Sequence, residues 1–142
     1  MYDVRNGYLA ATVATATPSR LLVMLYDRLA LDVDRAEAAL RNGDNGAASI
    51  QLVHAQDIVS ELLSSLDVGT WDGAPGLQSI YTYLLTELVE TNMTADPERA
   101  RACQAIIAPL HDAWRGAAAD VSRSIVPSAF AVPAMSGELG VG

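Results

Sequence analysis

Few residues in this chain of 142 have side chains that do chemistry, and their spacing serves it poorly. Glu87 and Glu90 stand three apart, so on a helix both carboxylates share a face, as in carboxylate-bridged metal sites. Such a site needs a histidine three residues after a glutamate on each of two helices, and neither glutamate has one. His54 and His111 are isolated in sequence, lack the carboxylate spacing of a metal site, and read as surface or bundle-edge histidines. Cys103 is the single cysteine, so no internal disulfide can form; within a helical apolar pattern it reads as a small core residue. Gly73-Ala74-Pro75-Gly76 lacks the preceding strand and the lysine of a phosphate-binding loop. Catalytic triads are spatial, and nothing here favours one. The expectation is a protein that is not an enzyme, with no catalytic residue, no metal and no cofactor.

Charge narrows the partners. The formal net charge of −8 argues against nucleic acid, whose phosphates require a basic face. All nine basic residues are arginine. The moderately apolar Tyr8 to Val13 precedes an Ala14-Thr15-Ala16 that looks like a cleavage site, but Asp3 offsets Arg5 and threonines interrupt the run. A signal peptide needs a net-positive start and a cleaner apolar core, so none is expected. Apolar runs fall well short of the roughly 18–20 residues that span a bilayer, so membrane insertion is not expected either. One cysteine and no targeting signal fit a soluble, cytoplasmic protein.

What chain this size must then position is apolar surface, and its periodicity is helical throughout. Thr17 and Pro18 form a helix start, a hydroxyl cap followed by a residue whose missing N–H is not needed there. Leu22, Leu25, Leu29, Val33, Ala36 and Leu40 then recur at spacings of three and four, and Asn42-Gly43 supplies a left-handed stop. Asp27, Arg28, Asp32, Asp34, Arg35, Glu37 and Arg41 fall mainly on the outer face. A second stripe is Leu52, Ala55, Val59, Leu62 and Leu66, and a third is Leu77, Tyr81, Leu84 and Leu88, with Ile80, Tyr83, Leu85 and Val89 around it. Asp96-Pro97-Glu98 opens a fourth helix, carried by Cys103, Ile106, Ile107, Leu110, Trp114, Ala117 and Val121, with Pro109 inside it costing a hydrogen bond and kinking it.

The expected fold is all-α, an antiparallel up-down four-helix bundle with an N-terminal cap segment and a flexible C-terminal tail. The boundaries are 1–16 for the cap segment, helices at about 18–41, 46–66, 76–94 and 97–124 within a 17–124 bundle, and 125–142 for the tail. The third helix, the start of the first and the N-terminal tyrosines offer more apolar surface than four stripes bury. Bundle core accounts for most of these residues; the sharper alternative is a groove for another amphipathic helix, lined by Tyr26, Ile58, Leu62, Tyr81, Tyr83, Leu84, Leu85 and Leu88. The tyrosines suit it, since a ring lines a groove while its hydroxyl stays wet. Periodicity leaves open which of Leu22, Leu25, Ile58, Leu62 and Leu84 are core and which line the groove. The N-terminal segment reads either as a frayed terminus or, through Tyr2, Tyr8 and Val13, as a detachable cover lying across the groove.

Several stretches in the right order resemble the flagellin export chaperones of the flagellar type III secretion system. Thr15-Ala16-Thr17-Pro18 and, after two residues and a leucine, Met24-Leu25-Tyr26-Asp27 resemble the family signature, with Tyr8 upstream. Ala55 to Leu62 resembles its second-helix pattern, Ile80-Tyr81-Thr82-Tyr83-Leu84 with Leu88 and Asn92 its third, and Asp112-Ala113-Trp114 the end of its fourth. Arg28 stands where a glycine commonly follows the aspartate. The resemblance implies a cytoplasmic bundle whose partner is the disordered C-terminal region of flagellin. The client becomes helical in the grooves, is kept from polymerising, and is brought to the export gate; export-gate components and flagellar regulators are implied further partners. The N-terminal segment would cover part of the groove until the client displaces it. Two readings of other classes stand beside it: a metal- or cofactor-carrying helical bundle enzyme, and a structural bundle or homodimer that uses the groove on itself.

Overall fold

The computed structural model describes residues 18–134, and every element among them is a helix: α1 (Pro18–Arg41), α2 (Asn45–Ser65), α3 (Ala74–Thr94) and α4 (Pro97–Ala134). The Thr17 cap, the whole 1–16 segment with Tyr2, Tyr8 and Val13, and the tail from 135 onward lie outside the described residues. Two compact units emerge: Met24–His111, and the described parts of Met1–Val23 with Asp112–Gly142. The first of these holds four helical segments and the core.

Local chemistry explains where the helices stop. Gly43 adopts φ 77, the left-handed conformation that glycine reaches without steric cost, and the Asp44 N–H folds back to the Ala39 carbonyl at 2.8 Å. Asp44 then caps α2, its Oδ1 accepting from the Ala47 N–H at 3.1 Å. Between α2 and α3 the Asp67 carboxylate accepts from the Gly69 N–H at 3.1 Å, an Asx turn. Ala95 ends α3 in the left-handed region with φ 52. Asp96 caps α4 through the Glu98 N–H at 2.9 Å.

The direction of packing is readable from side-chain pairs. Along α1, Arg41 bonds Glu98 of α4, Asp34 bonds Gln104, and Asp27 bonds His111, at 2.8, 3.0 and 2.5 Å. Falling numbers on one helix meet rising numbers on the other, so α1 and α4 are antiparallel. α2 packs along α3. Leu29, Leu52, Leu84 and Leu88 are wholly or almost wholly buried between the helices. Burial of each such side chain contributes about 1.5–3 kcal/mol. The core is completed by Val33, Ala36, Val59, Ala100, Cys103 and Ile107.

Two expectations are corrected. Asp32, assigned to the outer face of α1, is fully buried, because its position one residue before Val33 turns it into the edge of the apolar stripe, where Arg28 and His54 compensate its charge. The fourth helix also continues beyond its expected end near Ser124 to Ala134. No glycine lies between Gly116 and Gly137, and Pro127 and Pro133 each remove a donor without imposing the left-handed stop that ends α1. α4 runs through Pro109, which sits on the solvent side.

Candidate client-binding surface

α3 turns Leu77, Tyr81, Leu84, Leu88 and Thr91 into the core and leaves an unusually apolar outer side. Thr82, Thr86, Val89 and Met93 follow one another at four, three and four residues, which aligns them along one stripe. All four are exposed, Met93 the most at 75%. The threonine hydroxyls do not face water as free donors: Thr82 donates to the Gln78 carbonyl at 2.9 Å and Thr86 to the Thr82 carbonyl at 3.1 Å. What these residues offer a partner is mainly their methyl groups. Leu85 borders the stripe half-buried, and Ile80 and Tyr83 stand exposed on the opposite flank, Tyr83 at 56%. Sequence reasoning counted Val89 but missed the threonines and Met93, because the type of residue was read without its back-bonded hydroxyl.

The expected groove residues divide into two groups. Tyr83 and Leu85 reach the surface, whereas Tyr26, Ile58, Leu62, Tyr81, Leu84 and Leu88 are buried in the interior of the Met24–His111 unit. For Tyr26 and Tyr81 the premise of a wet hydroxyl is corrected. The two hydroxyls meet across the core, Tyr26 donating to Tyr81 at 2.9 Å, and each thereby finds a polar partner without solvent. Burial first, and then this bond, push the Tyr81 ionisation well above the ordinary phenol value. The buried residues therefore form the wall behind the outer surface of α2 and α3.

The histidines are not isolated in space. His111 is buried, donates or accepts at 2.5 Å with the exposed carboxylate of Asp27, and lies with its ring 6.1 Å from that of Tyr26. His54 Nδ1 is bonded to Asp32, whose other oxygen accepts from Arg28 Nε at 3.0 Å. Arg28, at the position where a glycine was expected, thus neutralises a buried carboxylate. These pairs are 84 and 22 residues apart in sequence, and no local spacing signals them.

Among the described residues no three of His, Cys, Asp and Glu gather as a metal-holding set. No helix there is long and apolar enough to cross a membrane. The Cys103 thiol is buried, and that burial is the main cause of a pKa pushed up to about 11, so it is a poor nucleophile near neutrality.

The chain is 28% identical over 117 residues to the flagellar secretion chaperone FliS of Bacillus subtilis (strain 168), covering 80% of this chain and 87% of that protein. It is 26% identical to the protein of the same name from Salmonella typhimurium and 24% identical to that from Escherichia coli K12, each over 74% of this chain and 79% of the relative. The sequence profile of the family described as flagellar protein FliS matches residues 1–121. With four helices, an interior sealed by a tyrosine pair and a match over most of its length, the chain belongs to the FliS family of flagellar proteins.

Proposed function

We propose that this protein is a cytoplasmic export chaperone that holds the C-terminal region of flagellin, prevents its premature polymerisation and aids its delivery to the flagellar export apparatus. The observation that carries this reading is the open apolar stripe of α3 in a chain that belongs to the FliS family. Its helical spacing suits an amphipathic client helix, which reads a partner through anchors at three- and four-residue intervals. Tyr83, Leu85, Val89 and Met93 make the contacts; Tyr26, Ile58, Leu62, Tyr81, Leu84 and Leu88 keep the helices behind them in register.

The function is binding without catalysis. A disordered client loses chain entropy when it folds on the bundle, and buried area has to offset that loss. About 1,000–3,000 Å² is the range in which coupled folding and binding of a long disordered segment operates, so a wrapping flagellin client is expected. The N-terminal segment with Tyr2, Tyr8 and Val13 covers part of the surface in the free protein and gives way to the client.

Light scattering with and without flagellin separates this reading from a homodimer that uses the same surface. A chaperone gives a one-to-one complex at the expense of any dimer; a dimer indifferent to flagellin overturns the proposal. Removal of residues 1–16 tests the cover: affinity stays the same or rises if the segment only competes, and a large loss shows that it contributes contacts.

A further inference from the structure

A second feature of the α2–α3 hairpin is independent of the α3 stripe. Between Asn42 and Asp96 the chain has eight acidic residues and no arginine or lysine, while the other nine acids are matched by nine arginines. The entire net charge of −8 thus belongs to this hairpin. Several of its acids already have work: Asp44 and Asp96 cap helices, Asp67 makes a turn, and Glu87 pairs with Arg99. Asp57 and Glu61 have no partner among the described residues, and both are exposed on the outer face of α2.

That face is also apolar. Ile50 is 69% and Val53 46% exposed, and with Asp57 and Glu61 they follow at three, four and four residues, one continuous stripe. It spans about 16 Å at the rise of an α-helix, or three turns of a partner helix. A cleft of about 240 Å³ opens beside it, lined by Arg28, Ile50, Gln51, Val53, His54 and Asp57. Among the described residues the buried Gln51 Oε1 beside this cleft has no hydrogen-bond donor. The two basic side chains of the cleft, Arg28 and His54, are both turned to Asp32 and leave Asp57 uncompensated. Moreover, Asp57 and Glu61 are like charges at i and i+4, an arrangement that weakens a helix rather than supporting it.

We propose that the outer face of α2 is a second docking surface, whose partner is a cationic amphipathic helix. Its apolar side packs on Ile50 and Val53, and its arginine or lysine side chains pair with Asp57 and Glu61. Charge selects this occupant. A second copy of the chain would set an acidic face against an acidic face, and anionic lipid or nucleic acid would be repelled in the same way.

The test uses a synthetic amphipathic peptide of about 18 residues, long enough to become helical. It is made with arginine on its polar flank, and again with the same apolar residues but glutamate on that flank. Fluorescence anisotropy with the full chain is expected to show the arginine peptide binding at least about tenfold tighter than the glutamate peptide, with the gap narrowing as salt screens the charges. Asp57→Arg turns a repulsive i, i+4 pair with Glu61 into an attractive one, so the helix is retained, and it should weaken the arginine peptide about tenfold. Ile50→Ser should weaken both peptides. Flagellin binding should be unchanged in either variant, and the arginine peptide should not displace flagellin. Equal binding of the two peptides, binding indifferent to Asp57→Arg, or competition with flagellin each overturns a separate cationic docking surface.

Discussion

Replacing Tyr81 by phenylalanine removes one oxygen atom from the middle of the Met24–His111 unit and changes almost no volume. The Tyr26 hydroxyl donates to that oxygen at 2.9 Å, and Tyr26 and Tyr81 are 1% and 2% exposed, so water does not reach in to replace it. A buried hydrogen bond of this kind contributes a net of about 0.5–1.5 kcal/mol, but a polar group stripped of its buried partner costs about 1–3 kcal/mol. Tyr26→Phe strands the Tyr81 hydroxyl and is therefore expected to cost about 1–3 kcal/mol, whereas Tyr81→Phe removes one bond and is expected to cost about 0.5–1.5 kcal/mol. Changing both removes the stranded group as well, so the double variant should cost less than the sum of the two, with a coupling of about 1 kcal/mol. Urea denaturation of the four proteins, followed by helical circular dichroism, measures the cycle. Because burial and the Tyr26 bond raise the Tyr81 ionisation, the coupling should be the same at pH 6 and pH 8. Losses that add to within about 0.3 kcal/mol, or a coupling that disappears at pH 8, refute the idea that the pair acts as one polar unit inside the core.

The Cys103 thiol, pushed up to about 11 mainly by burial, should react with iodoacetamide at pH 8 only after unfolding, since about one molecule in a thousand carries the thiolate. A raised native pKa gives stability that is complete below the ordinary thiol value of 9.0 and is lost as pH rises toward 11; the stability gap between the natural chain and Cys103→Ala should shrink over that window. Pro109→Ala restores a donor on the solvent side of α4 and should raise stability by about 1–3 kcal/mol, read by thermal melting; no gain would mean that the bundle core relies on a bend there. Asp32→Ala uncouples Arg28 and His54, both of which can turn to solvent, so a loss of about 1–3 kcal/mol is expected rather than the larger cost of stranding a sealed charge, and urea denaturation checks it.

How much of this was legible depends on whether the signal is local. α1 begins at Pro18 and ends at Arg41 as the sequence leads one to expect, because a proline at the first turn and Asn42-Gly43 after the last are chemical punctuation within a few residues. α2 and α3 follow the same logic to within one or two residues at each end. The end of α4 was hidden because its proline and glycine signals conflict. Burial was legible only at the centre of each stripe. Asp32 sits at a stripe's edge, and whether such a residue is core depends on what the neighbouring helix brings, here His54. Tyr26 and Tyr81 show the same limit: an amphipathic side chain suits an open groove or a paired interior, and 55 residues separate the two that decide it. The apolar character of Thr82 and Thr86 depends on back-bonding that residue type does not reveal.

Isothermal calorimetry of the protein against full-length flagellin, and against flagellin without its C-terminal region, tests the chaperone reading most directly. The first titration should show binding with a heat-capacity change of about −0.5 to −1.4 kcal/mol/K, as 1,000–3,000 Å² of largely apolar surface is buried. The second should show none, and Met93→Asp, a change at an exposed residue that leaves the core untouched, should weaken the first by at least about tenfold. Equal binding to both flagellins, no binding to either, or an affinity indifferent to Met93→Asp would contradict a client held by its C-terminal region along α3.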